Sequence, residues 1–252
     1  MSDVENGSSS SSNVTSQANP PPDNPVAPCP TRIANPCTLG LFSFASTLFI
    51  LSMYNIRTGG LERRNVIVGM AVFCGGLTQL LAGIWEFPRG NTFGGTMFSS
   101  YGAFWMSYAA IYIPNFGILE AYDDYVSERD DSELSRALAV YLFSWMIVSV
   151  LFLITSVRKS ISFTALFICL SLTYMFLAWS ELLSDSSDNV TMSWLLARLG
   201  GIFGIVAASI LYYVGLSELL ASEIKAVPLP TLECFFETVS SLLSNLLPCS
   251  SQ

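Results

Sequence analysis

The stretch Gly75–Tyr108, GGLTQLLAGIWEFPRGNTFGGTMFSSYGAFWMSY, decides how the chain is read. It opens as the second half of an apolar helix with Gln79 at its middle. It breaks at a short polar hairpin, Glu86-Phe87-Pro88-Arg89-Gly90-Asn91-Thr92-Phe93-Gly94-Gly95, and re-enters an apolar, aromatic segment from Phe98. One acid, one base, an amide and a few glycine or proline residues are all that separate two runs of membrane length. Pro88 and the glycines set sharp turns, and Glu86 and Arg89 can neutralise each other near the lipid boundary. A connection of this kind lines a polar path through an apolar medium.

The rest of the composition agrees. Apolar residues make up 52% of the chain and charged residues 12%, too few charges for a water-soluble domain of this length. The apolar residues fall in runs near twenty, and about twenty helical residues cross a ~30 Å hydrocarbon core. The expected class is an all-α, multi-pass membrane protein. The net charge of −8 and the lack of a Lys/Arg cluster beyond Arg63-Arg64 and Arg158-Lys159 argue against nucleic acid as a partner. The chain has no histidine, which excludes histidine metal ligation, haem ligation and a histidine proton relay. None of the cysteines (Cys29, Cys37, Cys74, Cys169, Cys234, Cys249) forms a CxxC pair, so they read as small hydrophobes and no cofactor or metal is expected.

Taken in order, residues 1–34 are a Ser/Pro-rich tail too polar to order itself. No basic segment precedes an apolar run there, so no signal peptide is expected. Residues 35–220 hold six spans, near 39–56, 66–85, 98–116, 137–157, 161–183 and 195–216. Asn35 or Thr38 is expected to cap the first. Gly69, Gly76 and Gly83 recur every seven residues along the second, and Gly200 and Gly204 form a GxxxG pair in the sixth, both close-packing faces. Pro114 ends or kinks the third span. The 117–136 connection is acidic and reads as a solvated loop, part of it a surface helix. Residues 221–252 read as an amphipathic tail lying on the membrane. The positive-inside count is tied; the Asn13 sequon matters only if the tail faces outside, whereas the Asn189 sequon and the acidic 117–136 loop fit an extracellular side opposite the termini.

Three patterns together resemble the acetate uptake transporter family, which includes bacterial succinate–acetate/proton symporters and yeast proteins linked to acetate uptake and ammonia export. They are Asn35-Pro36-Cys37-Thr38-Leu39-Gly40-Leu41, Gly75-Gly76-x-x-Gln79-x-x-Ala82-Gly83, and Gly90-Asn91-Thr92-Phe93-Gly94 followed by Ser100-Tyr101-Gly102-x-Phe104-Trp105. Thr38 departs from the family's proline. The resemblance implies six tilted helices around a narrow path within each subunit, subunits in a ring (typically a homohexamer), and cytoplasmic termini. It also implies a hydrophobic constriction, which by motif position falls on Phe44, Tyr101 and, more loosely, Leu172.

Function is then read against plainer alternatives. Phe44 and Tyr101 without the resemblance would be core aromatics; with it they form an apolar gate that excludes hydrated ions. Gln79 is either interhelical glue or path lining. Asn91 is a cap of the third span or a binder at the path mouth. Glu86 is the ion-pair partner of Arg89 or a proton acceptor. No lysine lies within a span, which excludes a retinal Schiff base, and no ATPase motif is present, so a gradient must drive any flux. The expected activity is not enzymatic: it is passage of acetate and similar short monocarboxylates, with a proton, across the plasma membrane. A passive weak-acid or ammonia/ammonium channel, or a non-transporting sensor of the same fold, are the alternatives.

Overall fold

The computed structural model describes residues 33–60, 65–123, 132–184 and 189–222. The Ser/Pro-rich tail with its Asn13 sequon, residues 124–131 of the acidic connection and nearly all of the amphipathic tail lie outside the described residues. Within them the chain is helical throughout, with no strand. The six long helices are α1 (Cys37–Asn55), α2 (Val66–Glu86), α3 (Thr92–Tyr112), α4 (Ser132–Ser156), α5 (Ile161–Leu183) and α6 (Val190–Ser222). A six-residue helix, Ile118–Asp123, stands between α3 and α4, where a surface helix was expected.

Five of these helices are long and apolar enough to cross a membrane; α3 is not among them. Its 21 residues carry no charge, but Gly, Ser, Tyr and Trp dilute their hydropathy. Burial accounts for that composition. The α4 window has mean hydropathy 2.5 and is 22% buried, whereas that of α1 has 1.6 and is 50% buried. Apolarity here tracks how much of a helix lies on the outside of the bundle. A helix packed among others keeps small and aromatic side chains instead.

Packing follows chain order: α1 on α2, α2 on α3, α4 on α5, α5 on α6, with α6 returning to α1. Small residues make the close approaches. A Cβ on Gly102 would lie 2.8 Å from the Leu80 backbone nitrogen, so α2 and α3 meet there backbone to backbone. Gly201 faces Ser52 of α1 and its C-terminal cap Ile56, and Gly200 faces Leu177 and Thr173 of α5, so the GxxxG region packs inside the subunit. Ser180 and Ser193 exchange hydrogen bonds, each hydroxyl donating to the other's carbonyl at 2.8 Å, and clamp α5 to α6. Asn35 joins the start of α1 to Glu218 of α6, while Arg57, past the other end of α1, lies over the Trp194 ring. The α3–α4 seam is instead filled by large rings: Phe104 stacks on Tyr141, and Tyr101 lies 5.8 Å from both Trp145 and Phe152.

Several boundaries differ from expectation. The third helix begins at Thr92, because Asn91 Oδ1 accepts the Gly94 N–H at 3.0 Å and satisfies its first turn. Gly94 and Gly95 are therefore helical, and the hairpin shrinks to the Phe87–Gly90 turn. At its other end Ile113 is extended, as a residue before proline prefers, and Pro114 opens a 3₁₀ turn. Helix α6 runs well past both expected ends. The seven-residue glycine stripe fails at its first member: Gly76 and Gly83 are buried, but Gly69 faces open space. The cause is a π-helical segment, Met70–Thr78, whose wider turns rotate Gly69 off the buried face.

Candidate functional site

The Phe87–Gly90 turn brings polar side chains from three helix ends together. Glu86, at the last turn of α2, is fully buried. Its Oε1 accepts from Arg89 at 3.1 Å and its Oε2 from Asn91 Nδ2 at 2.7 Å. Arg89 also donates to Asn35 Oδ1 at 2.6 Å, and Asn35 Nδ2 donates to Glu218 at 3.0 Å. Asn35 Oδ1 in addition accepts the Cys37 N–H at 3.1 Å, so Asn35 serves the first turn of α1 although the cap position itself is Pro36. Thr38 only donates to the Asn35 carbonyl, at 3.4 Å. The structure thus unites Asn35, Glu86 and Asn91, three residues expected at the site, and adds Glu218.

This network borders a cavity of about 280 Å³ between the start of α1, the α2–α3 turn and the α4–α5 turn. Lys159 reaches its rim, its Nζ 4.8 Å from the Phe93 ring centroid. A water occupies roughly 30 Å³ of liquid, so a small carboxylate with several waters fits. Glu86 is matched by Arg89 and Asn91, and the rim carries two cations, Lys159 and the outer face of Arg89, against one carboxylate, Glu218.

Deeper in, the Phe44 and Tyr101 rings lie 4.8 Å apart and both are fully buried. Phe167 of α5 stacks on Tyr101 at 6.4 Å and on Phe152 at 5.5 Å. The Tyr101 hydroxyl pairs with Ser149 Oγ at 2.7 Å, and Ser149 in turn donates to the Trp145 carbonyl. Beyond this aromatic layer, toward the far ends of α1, α3 and α5, a second cavity of about 40 Å³ holds little more than one water. Leu48, Asn55, Tyr108, Tyr141 and Thr173 border it. Two cavities thus lie on either side of a fully buried aromatic layer.

Leu172 is half-buried and stands outside the buried cluster that holds Phe44 and Tyr101; α5 contributes Leu166, Phe167, Leu170 and Tyr174 instead. Phe167 carried no motif, so only its place on the α5 face that buries Leu166 and Leu170 could have pointed to it. Gln79 is fully buried in α2, one helical turn from Gly83 and two from Glu86. Among the described residues no group of His, Cys, Asp and Glu is arranged to hold a metal.

Residues 17–234 match the GPR1/FUN34/yaaH family. The chain is 44% identical over 75% of its length to ammonia transport outward protein 2 of Saccharomyces cerevisiae, covering 62% of that protein. It is 34% identical over 76% of its length to acetate permease A of Emericella nidulans, covering 63%. The match thus spans less than two thirds of each of these relatives. Among solved structures, the bacterial acetate channel SatP superposes with a TM-score of 0.66 and 26% identity over 79% of this chain and 99% of that one.

Proposed function

Because the chain belongs to the GPR1/FUN34/yaaH family, we propose that it passes acetate and similar short monocarboxylates across a membrane together with a proton. The observation that carries this reading is the buried Phe44–Tyr101 layer, which lies between a cavity rimmed by Lys159, Arg89 and Glu218 and a second cavity. The mouth gathers carboxylates, Lys159 and Arg89 supplying the attraction. The layer rejects hydrated ions, because an apolar constriction sheds water. In this reading α3 is the sixth span, held off lipid by its neighbours. Subunits assemble as a ring, a homohexamer, in the plasma membrane with cytoplasmic termini. The names of the acetate permease and acetate channel relatives support acetate as the substrate.

The ammonia reading has one observation of its own, the name of the yeast relative that exports ammonia. The same cavities would pass that small neutral molecule without a carboxylate.

Liposomes containing the purified protein, given labelled acetate with and without an inward proton gradient, test the proposal. Uptake driven by the proton gradient and faster than in protein-free liposomes is expected, with flux altered in Phe44→Ala and Tyr101→Ala at equal protein abundance. Flux unchanged in both variants removes the gate. Ammonia flux without acetate flux favours the second reading.

A further inference from the structure

The centre of the bundle holds an amide with nothing to bond. Gln79 is fully buried, and neither its Oε1 nor its Nε2 has a hydrogen-bond partner among the described residues. Buried amides are costly in that condition, and lipid offers no relief. Helical register gives its level. Gly76 lies against Met106 and Gly102 against the Leu80 backbone, so Gln79 stands level with the α3 segment of Tyr101 and Trp105. On α1, Gly40 abuts Phe98 and Thr47 abuts Gly75, which brackets the turn that holds Phe44. The buried indole N–H of Trp105 is also without a partner.

We propose that Gln79 is the recognition group of the constriction, and that the form it recognises is the neutral carboxylic acid rather than its anion. This rests on the monocarboxylate reading above. A primary amide presents an N–H donor and a C=O acceptor side by side, and a protonated carboxyl presents the complement, a C=O acceptor and an O–H donor. One bound acid therefore satisfies both open atoms of Gln79 in a closed pair of hydrogen bonds. A carboxylate has only acceptors and would set a negative oxygen against Oε1.

The surroundings discriminate in the same direction. Glu86 is the one charged side chain among the described buried residues, and it is already held by Arg89 and Asn91. An anion stripped of water beside Phe44 and Tyr101 meets no countercharge, whereas a neutral acid needs none. The proton then rides on the substrate's own oxygen. The acid enters protonated, leaves protonated and ionises in the water beyond, so one proton accompanies each molecule and no side chain titrates.

The test uses the full-length protein with sodium acetate as the probe, in planar bilayers and in liposomes loaded with a pH dye. The expected result is internal acidification faster than in protein-free liposomes, indifferent to a potassium–valinomycin potential of either sign, with no acetate current. A protein-dependent current reversing at the acetate equilibrium potential overturns the neutral-acid assignment and leaves the transport reading standing. Absence of protein-dependent acetate movement by either readout defeats the transport reading and this one with it. Gln79→Leu supplies a second arm, since it removes two open polar atoms at similar bulk. It is expected to unfold at the same or a higher temperature while protein-dependent acidification falls about tenfold or more. A lower unfolding temperature would mean that the amide holds helices together, and unchanged acidification would mean that it recognises nothing; either result overturns the proposal.

Discussion

Replacing Glu86 by glutamine tests the mouth network atom by atom. Both carboxylate oxygens accept, one from Arg89 and one from Asn91 Nδ2. An amide side chain supplies one acceptor, and its NH₂ would face another donor. The substitution therefore loses one hydrogen bond outright and the charge assistance of the other. Hydrogen bonds to charged groups contribute about 1.5–3 kcal/mol, so a loss near 2 kcal/mol is expected once water is allowed to reach the released guanidinium. That allowance is needed because the Arg89 side chain is 32% exposed. Adding Asn91→Asp in the Glu86→Gln background reverses the donor and acceptor. It also keeps an oxygen to cap Gly94 and sets a negative charge at the N-terminus of α3, where the helix dipole favours it. The double variant should recover about half of the loss or more, as measured by reversible unfolding in mixed detergent micelles. If it is no more stable than Glu86→Gln alone, the assignment of donor and acceptor in this network is wrong.

Three other substitutions bear on packing. Gly102→Ala drives a methyl into the Leu80 backbone and should destabilise by about 1–3 kcal/mol, whereas Gly69→Ala meets open space in a helix and should stabilise by up to about 1 kcal/mol; equal effects in a thermal-shift assay would count against the π-helical register. Phe167→Ala should cost about 3–5 kcal/mol, and Leu172→Ala clearly less because it is half-buried; the reverse order of unfolding midpoints would mean that Leu172, not Phe167, is the buried packing residue of α5. Ser180→Ala breaks one arm of the α5–α6 clamp and should cost about 1 kcal/mol, with no change expected in acetate flux, which liposome uptake checks.

What the sequence disclosed and what it hid have different physical origins. Five spans were plain because a helix facing lipid must be apolar on that side, and α5 was placed to the residue. The third helix was misplaced at its start because Gly94 and Gly95 look like turn residues, while the deciding contact is one Asn91 side-chain bond. The π-helical segment was illegible: Met70–Thr78 reads as an ordinary apolar run, and the wider turns follow from packing against α1 and α3. In the mouth, Asn35, Glu86, Arg89 and Asn91 could be picked out by motif and by rarity of charge. Glu218 sits far along the chain beyond the patterned region, and only the return of α6 to α1 brings it to Asn35. Tyr101 carries a signature of its own, but its partners Ser149 and Phe167 belong to helices without one.

The two ties between α1 and α6 act as a gauge. Asn35 meets Glu218 at one end, and Arg57 lies over Trp194 at the other. At ~1.5 Å of rise per residue these ties stand about 33–36 Å apart on both helices, slightly more than a ~30 Å hydrocarbon layer. A cation on an indole, and an amide on a carboxylate, both belong at headgroup depth. The protein thus carries its own measure of the membrane. In a thicker bilayer Glu218 and Arg57 would be drawn toward hydrocarbon, and the strain would fall on Asn35, which also holds Arg89 at the mouth. Lipid chain length would thereby act on the Arg89–Asn35 contact, and so on the cavity it borders, without any ligand touching it.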